Sequence, residues 1–186
     1  MADAAVQTPD DVVRFLVRQH EQIKSLFAET VAASGEARER AFVELRRLLA
    51  VHETAEEEIV HPRAKRKIPN GDKIIGARLD EEHEAKILLA ELEKLDVDTQ
   101  SFTDMLTKLR DAVVEHAEHE EQQEFVKLEQ ELGDEELQGM GRAAKLAEAV
   151  APTRPHAGVE SQIANLFAGP FAAMMDRARD TIIGKG

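Results

Sequence analysis

Apolar residues recur three and four positions apart through most of the chain, and each such run is bounded by a turn or capping signal. Val13, Leu16, Ile23 and Phe27 mark the first run. Thr8 can cap it, Pro9 suits the first helical position, and Asp10 and Asp11 meet the positive end of the dipole, so helix A is predicted to about Ala33, before Ser34-Gly35. Helix B follows from Glu36 with Phe42, Leu45, Leu49 and Ile59 in phase, and is predicted to end or kink at His61-Pro62, where proline removes a backbone donor. Pro69-Asn70-Gly71-Asp72 is a turn and a new start, giving helix C to about Leu95 with Leu79 and Ile87 on one face. Asp98 or Thr99 opens helix D, which carries Phe102, Leu106, Leu109 and Val113 and lasts to about Leu132, before Gly133. Long helices joined by short connections make an all-α, up-down-up-down antiparallel four-helix bundle over residues 8–132. A further helix is expected over 133–150, a linker over 151–158, and a partly amphipathic helical tail over 159–186, whose apolar positions include Ile163, Leu166, Phe167 and Phe171.

The same three-and-four ruler exposes an anomaly. His20 falls in the seam of helix A, His52 and Glu56 in that of helix B, His116 and Glu120 in that of helix D, and His83 lies between Leu79 and Ile87 on helix C. Burying an unpaired carboxylate or imidazole costs at least a few kcal/mol, and six such insertions would overwhelm a net stability of roughly 5–15 kcal/mol. A metal centre compensates them. A His and a Glu four residues apart share one helical face at about 6 Å, close enough to serve adjacent ions, and both His52/Glu56 and His116/Glu120 have that spacing. The pattern is also duplicated: His20 to His83 spans 63 positions, and His52 to His116 and Glu56 to Glu120 both span 64. Two half-sites imply two metals, with the Glu carboxylates bridging and the imidazoles terminal.

Composition narrows the chemistry. The chain has no Cys, so thiolate zinc, iron–sulfur clusters, disulfides and cysteine nucleophiles are excluded, and any metal is held by His and carboxylate. Imidazole-rich ligation with some carboxylate suits iron, copper, zinc or nickel better than magnesium or calcium. Two bridging carboxylates in a closed bundle favour di-iron, with manganese or mixed occupancy behind it. A net charge of −13 argues against nucleic acid. The N-terminus lacks a basic segment followed by an apolar one, and nowhere do about 18 apolar residues run together, so a soluble, cytoplasmic protein without membrane partners is expected. Trp and Tyr are absent, which removes any tyrosyl radical.

These residues resemble the hemerythrin-like, or HHE cation-binding, family, whose pattern is H…HxxxE…H…HxxxE across four helices. The likeness covers about residues 8–132, and the tail around Pro152-Thr153-Arg154-Pro155-His156 resembles that of actinobacterial members. It implies a hemerythrin-like bundle with extra C-terminal helices, in which His20, His52, His83 and His116 are terminal ligands and Glu56 and Glu120 bridge two iron ions (Fe2+/Fe3+) together with an oxo or hydroxo group. Oxygen-carrying members add a second His on the third helix, four residues after the first; that position is Ile87, which argues against reversible oxygen carriage. Some bacterial members supply a ligand five residues after the first Glu, often Tyr, and here that residue is His61.

Around this set, His119 is off the seam and is expected to be solvated or to orient a ligand, His156 is expected on the surface, and Glu57, Glu84 and Glu121 are placed where they could orient imidazoles. The expected function is a non-haem di-iron protein that binds a small diatomic (O2 or NO) or peroxide. The alternatives are a catalase-like or peroxidase-like enzyme acting on hydrogen peroxide, an iron store or sensor, or a bundle holding zinc or no metal. The tail offers a route to a homo-oligomer.

Overall fold

The computed structural model describes residues 11–150. Thr8 and Pro9, the 151–158 linker, the 159–186 tail and His156 lie outside them. Helix α1 spans Val12–Ala32 and is capped by Asp11, whose side chain accepts from the Arg14 N–H at 2.9 Å. Helix α2, Gly35–Ala55, runs through a π turn at Glu56–Val60 into α3, His61–Lys67. Helix α4 spans Gly71–Leu92. Helix α5, Gln100–His119, is capped by Thr99 and runs through a second π turn, Glu120–Phe125, into α6, Val126–Glu131. These four rods, joined by short connections, form the expected bundle, and α7, Asp134–Val150, adds a fifth helix that packs on α1 and α2.

Of the two outcomes expected at His61-Pro62, an end or a kink, the second rod shows no end: it passes through the π turn and resumes as α3. The His61 N–H bonds to the Glu56 carbonyl, five residues back. Pro62, which has no N–H, follows directly on the π turn in the first turn of α3, the part of a helix that tolerates proline. The rod ends instead at Ile68, and the chain reverses through Asn70, whose φ of 58° is left-handed. Gly71 follows because a Cβ there would sit 2.5 Å from the Lys65 carbonyl oxygen.

The interior holds two apolar cores. One gathers Val12, Leu16, Ala55, Val60, Ile75, Phe125 and Leu128 with Leu137, Met140 and Ala144 of α7. The other gathers Ile23, Phe27, Phe42, Leu45, Leu49, Phe102, Leu106 and Leu109. The apolar seams predicted for helices A, B and D face inward, with Ile59 and Val113 only partly buried. Helix C is turned: Leu79 and Ile87 are 41% and 51% exposed, and the inward residues of α4 are Ile75, Arg78, Glu82, Ala85 and Leu92. Between the two cores lies a layer of buried polar side chains. Among the described residues no helix is long and apolar enough to cross a membrane.

Candidate metal centre

The π turns build this layer. Both begin at a seam glutamate, Glu56 in one rod and Glu120 in the other, so the 64-residue repeat of the sequence is also a repeat of backbone geometry. On an α-helix a residue five positions beyond Glu56 would point well off its face. The i+5 pairing of the π turn brings His61 round to the interior, where it is buried.

Three overlapping groups have ligand atoms within 4.8 Å of one another: His20, His52, Glu56 and Glu120; Glu56, Glu82 and His116; and His61, Glu120 and Glu124. Glu56 and Glu120, both fully buried, are each shared between two groups. His20 Nε2 lies 3.1 Å from His52 Nε2 and 3.3 Å from a Glu120 oxygen. His52 Nε2 lies 3.3 Å from Glu56, and His116 Nε2 3.3 Å from Glu120. His61 stands 3.5 Å from Glu82, 3.6 Å from Glu120 and 3.7 Å from Glu124.

Thus six of the seven residues expected from sequence, including His61, converge. His83 does not: it is exposed on α4, and its neighbour Glu82 faces inward. The cause is the rotation of helix C, which carries apolar residues on more than one face, so its pattern set no unique phase. Ile87, exposed on the same side, is no longer at a ligand position, and four residues beyond Glu82 stands Lys86, paired to Glu53, Glu57 and Glu82. Glu124 and Glu82 join the layer without having stood out in the seams. Glu124 had a signal, being the next step of the four-residue ladder His116, Glu120, Glu124. Glu82 had only a weak one, its phase with Ile75, Arg78 and Ala85.

Outer partners hold the imidazoles. Glu121 takes the His20 Nδ1–H at 2.8 Å, and Glu81 takes that of His116 at 3.0 Å and that of His119 at 2.9 Å. A carboxylate only accepts, so His20 and His116 present their Nε2 atoms inward. His52 Nδ1 meets Gln19 Oε1 at 3.0 Å. The ring of Phe125 stacks on His20 at 5.8 Å. Of the acids considered from sequence, only Glu121 reaches an imidazole of the layer; Glu57 pairs with Lys86, and Glu84 is exposed.

Both oxygens of Glu56, Glu82, Glu120 and Glu124, both nitrogens of His61 and Nε2 of His116 are buried without a hydrogen-bond partner. That many orphaned donor atoms converging on one volume fit a cation, because each would otherwise cost its desolvation uncompensated. The protonation equilibria agree. Burial, reinforced by Glu120, pushes the Glu56 carboxyl well above its ordinary value. Burial with Glu53 nearby raises Glu82 to about 8, and burial with Glu120 nearby raises Glu124 to about 8. Burial and His20 lower His52 to about 3. His116, although burial opposes its charge, is raised to about 9 by Glu120 and Glu81. Glu120, against the cost of its own burial, is held well below its ordinary value by His116, His20 and His61. Protons thus neutralise here what a metal ion would.

A narrow, mostly apolar cavity opens beside the imidazoles, lined by Ile23, Leu49, Ala85 and Val113 together with His20, His52 and His116.

A family model described as the hemerythrin HHE cation binding domain matches residues 11–128. The solved structure of a hemerythrin HHE cation binding domain-containing protein from Mycobacterium kansasii superposes with a TM-score of 0.69 at 18% identity, covering 91% of this chain and 99% of that one. A Nostoc sp. protein named DNA nickase is 27% identical over 138 residues, covering 74% of this chain. The chain spans only 38% of that protein's length.

Proposed function

The chain belongs to the hemerythrin HHE cation binding domain family, and on that premise we propose that its buried layer holds two iron ions and serves to bind a small diatomic or peroxide. The observation that carries this reading is the set of orphaned donor atoms on Glu56, Glu82, Glu120, Glu124, His61 and His116. The donors fall in three groups around the two shared carboxylates: His20 and His52 with both, Glu82 and His116 with Glu56, and His61 and Glu124 with Glu120. Nitrogen and oxygen donors without thiolate suit iron, with manganese or mixed occupancy as the next choice. When bound, paired irons would supply an open coordination position and a reservoir of two electrons. The residues around them do the rest. Glu121 and Glu81 fix imidazole orientation, Phe125 closes one side of His20, and Ile23, Leu49, Ala85 and Val113 keep water sparse in a cavity that suits a small ligand.

A catalase-like or peroxidase-like activity is the second reading. It fits a chain that lacks Tyr and Trp, since a two-electron exchange with peroxide at paired irons needs no amino-acid radical. The net charge of −13 supports a role without nucleic acid, so the Nostoc protein's name is not carried over.

Metal analysis of protein produced with adequate iron tests the proposal: about two irons per chain are expected, and fewer than about one would overturn it. Reversible spectral change on adding O2 or NO supports the binder, whereas oxygen evolution from hydrogen peroxide supports the enzyme.

A further inference from the structure

His52 differs from the other oriented imidazoles in its partner. His20 and His116 meet carboxylates, which can only accept, but Gln19 can turn either end of its amide to His52 Nδ1. Two arrangements therefore compete. In one, Gln19 Oε1 accepts from Nδ1–H, and the Nε2 lone pair of His52 faces the centre. In the other the amide is reversed, its NH2 donates to Nδ1, and the proton sits on Nε2, where it is donated to His20 Nε2 at 3.1 Å. The second arrangement closes the site on itself, because a protonated Nε2 cannot bind a metal.

What separates them lies on α7, beyond the residues that the family model matches. Gln19 is 2% exposed, and its Nε2 donates to a Glu148 oxygen at 3.3 Å. A carboxylate cannot donate, so a reversed amide would set its oxygen against the oxygens of Glu148. We propose that Glu148 is a positioning residue for the metal centre: through Gln19 it selects the His52 tautomer whose Nε2 is free to bind metal. The fifth helix is thereby a working part of the site, held in place by Leu137, Met140 and Ala144 in the core and by the pair Arg63–Glu136. This inference rests on the reading of His52 as a ligand, but the tautomer itself can be read with no metal bound.

Glu148→Lys is the decisive variant. A lysine only donates, so it would draw Gln19 Oε1 toward itself and turn the amide NH2 to His52. Glu148 lines an open groove with Gln22, Ser25, Glu44 and Arg47, which leaves room for the longer side chain. When Gln19→Glu is combined with Glu148→Lys, the carboxylate introduced on α1 accepts both from the ammonium introduced on α7 and from His52, so the original polarity returns. The full-length chain labelled with 15N-histidine would be examined by NMR in the presence of a chelator, then titrated anaerobically with Fe2+ against a chromogenic competitor. The expected result is Nδ1–H for His52 in the wild type, Nε2–H in Glu148→Lys with iron binding weakened about tenfold or more, and Nδ1–H with near-wild-type binding in the double variant. An Nδ1–H tautomer retained in Glu148→Lys, or a double variant no better than the single one, overturns the proposal. If Glu148→Lys does not fold, Glu148→Ala serves in its place: mixed tautomers support the proposal and pure Nδ1–H refutes it. A tautomer switch in a protein that binds no iron even as wild type would leave this control intact and sink only the metal reading.

Discussion

Glu56 and Glu120 occupy equivalent places in the repeat, yet their protonation is driven in opposite directions. Glu120 is surrounded by imidazoles of His116, His20 and His61, while Glu56 is set mainly against burial and other carboxylates. The site therefore carries protons where it lacks a metal, and stability should report them. In the folded state Glu82 and Glu124 keep protons to about pH 8, whereas the ordinary value of such a carboxyl is 4.5. The folded form binds more protons in that window, so their contribution is complete below 4.5 and is lost as pH rises through 8. His116, raised from 6.5 to about 9, has the same sign between those values. His52, lowered to about 3, acts the other way, but only below 6.5. The Tm of chelator-treated protein is accordingly expected to fall between pH 6.5 and 9, and to do so much less once iron has displaced the protons; thermal scans across that range check both. Single ligands separate equally well. His61→Ala should weaken binding of one iron at least about tenfold, reducing the charge-transfer absorption, while His83→Ala should leave metal content and spectrum unchanged.

At the scale of the element, the π turns matter most. Each lies in a rod whose seam is otherwise regular, and each rotates the chain just beyond its first glutamate, so that the residues five positions on, His61 and Phe125, turn inward beside those set by ordinary four-residue spacing. The connection from α3 to α4 shows a different constraint. Gly71 lies with its Cβ position 2.5 Å and 2.7 Å from the carbonyl oxygens of Lys65 and Ala64, which are backbone atoms and cannot swing aside, whereas Gly76 within α4 faces open space. Gly71→Ala is expected to cost about 2–3 kcal/mol. Gly76→Ala is expected to stabilise by about 0.5–1 kcal/mol through helix propensity and reduced unfolded-chain entropy. Denaturant titration of the two variants, with m-values compared, distinguishes these signs.

In the whole molecule a polar layer divides the interior, with an apolar core on each side. At the far end from α7, Arg38 ties the α1–α2 corner to the α4–α5 connection through the carbonyls of Ala33 and Val97, and Asp98 accepts from the Gly35 N–H. The cores and this clasp hold the rods on both sides of the donor layer. Loading should raise stability by about 4 kcal/mol when free Fe2+ is a thousandfold above its Kd, and a chelator should reverse it; calorimetry with and without metal measures the difference.

Much of this protein was legible in its sequence. The bundle, its rods and the inward faces of helices A, B and D follow from strongly amphipathic runs punctuated by Gly, Pro and caps, which are local and need no knowledge of neighbours. His20, His52, Glu56, His116 and Glu120 were equally visible, because polar residues stand out in an apolar seam. The phase of helix C was not, since apolar residues lie on more than one of its faces, and only packing against the other rods turned Glu82 inward and left His83 in solvent. Nor was the π pairing that brings in His61, just before Pro62, or the contact of Glu148 with Gln19 across 129 positions. Backbone hydrogen-bond register and long-range contacts have no local signature; they are settled where helices meet.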